Sequence, residues 1–94
     1  MVYLITYDLN SEGQDYDKIT DKIKLFAGEN YVHTMGSVWI VKSNLSTKDI
    51  YESLTEDVDF NDEFLVAKLN SDFECYLSDE EEKNIRNLFK VTYW

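Results

Sequence analysis

The chain contains no proline and only one cysteine, one histidine and one arginine. One cysteine and one histidine exclude any Cys/His zinc cluster. Without proline, repeats or a linker, there is no sign of a boundary, and 94 residues suit one domain. No segment approaches the roughly 18 apolar residues of a membrane span, so no membrane partner is expected. The N-terminus lacks the basic region and cleavage site of a signal peptide. The lone Cys75 has no internal disulfide partner, which fits a reducing cytoplasm. Its neighbours Glu74 and Tyr76 give no means of lowering a thiol pKa, so Cys75 reads as structural. His33 lies in an apolar stretch and reads as a core or surface residue rather than a ligand.

What is present is a real core composition, 44% apolar and 15% aromatic, and a large negative charge of −10. The charge is uneven. Asp49 to Glu82 holds 13 acidic residues and one basic residue, a local charge of −12, while the rest of the chain carries +2. Such a surface repels phosphate backbones, so nucleic acid would need a basic patch, a bridging metal or a partner. Lys18, Lys22 and Lys24 near the N-terminus, and Lys83, Arg86 and Lys90 near the C-terminus, are the only basic groupings, and neither is strong.

Val2 to Leu9 has six apolar or aromatic residues in eight, the pattern of a strand covered on both faces. It ends by delivering a carboxylate, Asp8. That carboxylate has two readings, a metal or acid/base group at a sheet edge and a turn starter. Asn10 to Gln14 form a loop with Gly13, and Asp15 suits a helix N-cap. Tyr16, Ile19, Ile23 and Phe26 predict an amphipathic helix to Ala27, capped by Gly28. Tyr31 to Ser43 predict either a hairpin or a bulged strand, broken at Gly36-Ser37. Ser46 with Asp49 starts a second helix whose apolar face is Ile50 and Leu54, with Tyr51 a further candidate, ending before Asp59. Glu63 to Leu69 is a strand with Leu65, Ala67 and Leu69 on one face and Phe64 and Val66 on the other. Asp72 to Leu77 reads as a short extended piece. Ser78 with Glu81 starts a third helix carrying Ile85, Leu88 and Phe89. The apolar tail Val91 to Trp94 is suited to docking on its own or a partner subunit. The expected class is α+β, a ferredoxin-like βαββαβ sheet over about 1–70 with a C-terminal helical extension over 71–94.

Tyr3-Leu4-Ile5-Thr6-Tyr7-Asp8-Leu9-Asn10, then Gly13-Gln14-Asp15-Tyr16 and Ser37-Val38-Trp39-Ile40-Val41, resemble the small CRISPR-associated adaptation proteins and their short non-CRISPR relatives. The virulence-associated ribonuclease toxins are a more distant likeness. The resemblance covers about residues 1–70 and implies a ferredoxin-like fold and a homodimer whose sheets meet face to face. It implies that each Asp8 meets its mate across the interface, and that in nuclease members this pair holds Mg²⁺ or Mn²⁺. Asn10 then supplies a neutral oxygen, and Ser37 and Tyr7 stand behind the site. Many members of the family act as dimeric scaffolds without nuclease activity.

Three readings follow. The first is a metal-dependent endonuclease of RNA or DNA centred on Asp8. The second is a non-catalytic acidic protein, cellular or phage-encoded, a nucleic-acid mimic or inhibitor that binds a basic nucleic-acid-binding protein. Its face would be Glu52, Glu56, Asp57, Asp59, Asp62 and Glu63. The third is a catalytically silent dimeric scaffold. The single arginine and the acidic second half depart from the family's DNA-docking surface and weigh against spacer integration.

Overall fold

The computed structural model describes residues 1–9, 16–56 and 62–90. The elements run β1 (Val2–Asp8), α1 (Tyr16–Ala27), β2 (Tyr31–Thr34), β3 (Val38–Lys42), α2 (Thr47–Thr55), β4 (Glu63–Leu69) and α3 (Asp79–Asn87). They form an α+β fold, one four-stranded sheet ordered β2-β3-β1-β4 with three helices. Every neighbouring pair is antiparallel, and β3 lies between β1 and β2, the two strands joined through α1.

β1 is covered on both faces, as its apolar run requires. Tyr3, Ile5 and Tyr7 point to one side and join Ile19, Ile23, Ile50 and Leu54 of α1 and α2, with Trp39 and Val41 of β3. Val2 and Leu4 point to the other and join Val32, Ile40, Ile85 and Leu88. The period of two in β4 divides its side chains in the same way. Phe64 and Val66 pack with the α1/α2 core and Leu69 with the α3 core. Of the predicted stripe of α1, Ile19 and Ile23 are buried and Phe26 packs half-buried against the core, whereas Tyr16, in the first turn, is 48% exposed; on α2 Ile50 and Leu54 are buried and Tyr51 stays 49% exposed. Gly28 ends α1 at φ +63, where a Cβ would be strained.

The hairpin alternative holds between β2 and β3. Thr34 pairs with Val38 across a three-residue loop, with Met35 at φ 47 and Gly36 at φ 73. Ser46 caps α2 by accepting from the Asp49 N–H at 3.1 Å. Ser78 caps α3 by accepting from the Glu81 N–H at 3.1 Å, and its hydroxyl donates to Glu81 Oε1 at 3.0 Å.

Residues 72–77 form no strand. They belong to an irregular strap, 70–78, that opens with Asp72 N–H donating to Asn70 Oδ1 at 2.8 Å and carries Phe73 and Leu77 onto the sheet. The short extended piece expected at Asp72 to Leu77 joins no sheet. α3 is fixed to the sheet by polar contacts as well as by Ile85. Buried Thr34 donates to Glu81 Oε2 at 2.6 Å, and Lys42 Nζ donates to the Lys90 carbonyl at 3.0 Å. The Asp15 cap, the loop with Gly13 and the tail Val91 to Trp94 lie outside the described residues.

Candidate functional site

Asp8 is the last residue of β1 and is exposed. Alternation along the strand puts it on the α3 side of the sheet, with Leu4 and Thr6. α3 and its strap cover the Leu4 end of that face, while Leu65, the partner of Thr6, stays 56% exposed. The Asp8 end of the face is therefore the open end.

The register brings a second carboxylate to it. Asp8 pairs directly with Glu63, the first residue of β4, so the two side chains project from neighbouring strands on the same face. Thr6, Asp8, Glu63 and Leu65 line an open cleft of about 360 Å³, together with Tyr7 and Phe64 at the strand ends. Like charges directly opposite one another destabilise a sheet. The chain accepts that cost at this one place in the β1–β4 ladder.

Ser37 precedes Val38, the partner of Thr6, and so lies at the same end of the sheet as Asp8. Tyr7 turns to the opposite face. It is 7% exposed, its hydroxyl accepts from Trp39 Nε1 at 3.2 Å, and its ring sits 5.7 Å from Phe64 and 5.9 Å from Tyr16. Its support for Asp8 therefore runs through the core and backbone rather than through a shared surface. Asn10 lies outside the described residues, as do Asp57 and Asp59.

The acidic residues divide. Glu52 and Glu56 are exposed on α2, on the other side of the sheet from the face that carries Glu63. Glu52 lies 3.9 Å from Lys48 and Glu56 lies 3.7 Å from Lys22. Asp62 is half-buried beside Glu63 in sequence. The basic side chains are largely engaged. Lys22 Nζ donates to the Ser53 carbonyl at 2.9 Å, Lys24 sits over Tyr31, and Arg86 bonds Glu82 at 3.0 Å and covers the Phe73 ring.

The one strongly placed acid outside this end is Glu81. Hydrogen bonds from Thr34, and then from Ser78, hold its carboxyl below the ordinary value of 4.5. They serve the attachment of α3. His33 is exposed and stacks on Trp39 with centroids 4.0 Å apart and ring planes 8° apart, while its Nε2 meets the Gly36 carbonyl. Its ring covers the edge of the core.

Two carboxylates beside the Thr6 hydroxyl make a hard oxygen donor set, suited to Mg²⁺ or Mn²⁺. Magnesium commonly takes only one or two carboxylates, with waters and substrate phosphates completing its shell. Among the described residues no group of three or more His, Cys, Asp and Glu comes together. No helix among them is long and apolar enough to cross a membrane.

No protein-family model matches the chain, and no solved structure matches it.

Proposed function

We propose that this chain is a ferredoxin-like protein similar in plan to the CRISPR-associated adaptation family, acting as a homodimer that cleaves RNA or DNA phosphodiesters with a divalent cation at Asp8. The fold reading is supported by the strand order, the uniformly antiparallel neighbours and the two helical crossovers. The observation that carries the function is the pairing of Asp8 with Glu63 on the open half of the sheet face. Asp8 and Glu63 would hold Mg²⁺ or Mn²⁺, with Asn10 as a further neutral oxygen. The ion would neutralise phosphate charge and lower the pKa of the attacking water. The two carboxylates would orient the cation, whose charge would offset part of the unfavourable field that the acidic second half presents to a polynucleotide.

A dimer also has a place to form. A second copy would meet this one at the Thr6, Asp8 and Leu65 end, which α3 and the strap leave exposed among the described residues, and would bring its own carboxylates to the centre. The deciding experiment is cleavage of labelled single-stranded RNA and duplex DNA with Mg²⁺, Mn²⁺ or chelator, for wild type and Asp8→Ala. Cation-dependent cleavage lost in Asp8→Ala is expected. Cleavage that survives the substitution removes Asp8 from the mechanism. Mass measurement in solution tests the dimer, and a monomer at micromolar concentration overturns it.

A second reading, an acidic protein that binds a basic nucleic-acid-binding partner, draws on α2. The side chains of Glu52 and Glu56 are 60% and 71% exposed and one helical turn apart. Titration with a basic peptide should then give binding that is lost at high salt and weakened by Glu52→Gln with Glu56→Gln. Binding indifferent to both changes excludes this face. A silent scaffold, the third reading, would give the dimer without cleavage.

A further inference from the structure

A second cavity lies on the same side of the sheet and shares no lining residue with the Asp8 cleft. It measures about 250 Å³ and sits between the sheet and the strap 70–78. Its walls are Leu4, Val38, Ile40, Leu69, Phe73 and Leu77. Leu4, Val38 and Ile40 belong to strands whose opposite-face residues Tyr3, Ile5, Trp39 and Val41 are buried, yet Leu4, Val38, Leu69, Phe73 and Leu77 remain only half-buried. The strap and α3 reach over this part of the sheet without filling it. A well-packed interior leaves few voids larger than a water molecule, so a space of this size is an unfilled volume with apolar walls.

The polar groups at its edge define what it can take. Thr34 is already committed to Glu81. No buried side-chain nitrogen or oxygen among the described residues lacks a partner, so the walls do not call for water or a hydrogen-bonding ligand. No basic side chain lines the cavity, and the carboxylate that does, Glu74, would repel an anion. Arg86 lies over the Phe73 ring at 4.7 Å but is paired with Glu82 at 3.0 Å, so a fatty-acid or phosphate headgroup finds no unpaired counter-charge in the lining. An apolar void of about 150 Å³ accepts a benzene-sized molecule, and scaling by volume allows about ten non-hydrogen atoms here.

We propose that the cavity beneath the strap is a binding site for a compact, uncharged, apolar molecule of the size of a fused bicyclic ring. The site is independent of Asp8. Cys75 lines the same cavity and is the only cysteine, so its thiol reports occupancy without a label.

The test measures the rate of Cys75 alkylation by iodoacetamide, with indole as probe and benzoate as the anionic control of equal size. Half-saturation by indole is expected at about 0.1–1 mM for so small a ligand. At about 2 mM indole the thiol should then react about three- to twentyfold more slowly, while benzoate leaves the rate unchanged. Val38→Phe and Leu69→Trp, each checked for fold by circular dichroism, fill the volume and should abolish the indole effect. Nuclear Overhauser contacts from indole to the Ile40 and Ile85 methyls of the wild-type protein give a reading that needs no variant. The proposal is overturned by an unchanged thiol rate with indole, by equal protection from benzoate, by protection that persists in a folded filled variant, or by the absence of those methyl contacts.

Discussion

The pairing of Asp8 with Glu63 predicts that removing a charge from the candidate site makes the protein more stable. Direct cross-strand partners have Cβ atoms about 5 Å apart, and two exposed carboxylates there settle at about 6 Å. In water that separation corresponds to about 0.7 kcal/mol of repulsion, and physiological salt reduces it to about 0.3 kcal/mol. Asp8→Asn should therefore gain about 0.3–0.7 kcal/mol, which for a chain of this length raises Tm by about 1–5 °C. Glu63→Gln should give the same gain. The double variant should gain no more than either single one, because either change alone removes the repulsion. The gain should shrink as salt is added. Magnesium should act in the opposite pattern. It should stabilise the wild type by about 1.4 kcal/mol at tenfold its Kd and leave both variants unmoved. Thermal unfolding followed by circular dichroism, with and without salt and Mg²⁺, reads all of these. A lower Tm for Asp8→Asn, or gains that add in the double variant, would refute the claim that these carboxylates face each other. A wild type indifferent to Mg²⁺ would refute the cation site while leaving the register standing.

Trp39→Phe should cost about 2 kcal/mol in urea unfolding, because it opens a void beside Tyr7 and strips that buried hydroxyl of the indole donor. Thr34→Val should move the Glu81 carboxyl back toward 4.5, read by NMR titration. Since the folded protein holds this carboxyl low, its contribution is complete above 4.5 and is lost as pH falls through the lower folded value. The wild type should therefore lose α3 anchoring in acid over a range where Thr34→Val shows a smaller change. Met35→Gly should stabilise by about 0.5–1 kcal/mol in the same unfolding assay, since Met35 holds a left-handed φ of 47 on an exposed turn.

The local elements of this protein are written in short stretches of its sequence. Ile19 and Ile23 mark the inner stripe of α1, Ser46 and Ser78 cap the helices that follow them, Gly28 ends α1, and Glu63 to Leu69 has the bounds of β4. Each of these depends on groups within a few residues of one another, whose geometry the backbone itself sets. Asp8 at the end of an apolar strand was legible for the same reason. Its company was not. A strand presents alternate faces, and a slip of one residue exchanges them, so only the pairing of β1 with β4 decides that Glu63 joins Asp8 and that Tyr7 turns away into the core. The acidic segment reads as one block along the chain, yet the sheet separates Glu52 and Glu56 on α2 from Glu63 and the strap. The Thr34–Glu81 bond joins residues 47 positions apart, and the cavity beneath the strap exists only where two remote surfaces fail to meet. Composition and periodicity determine which segments become strands and helices. The open carboxylate cleft and the unfilled apolar cavity on one sheet face arise from long-range register and packing, which no local pattern encodes.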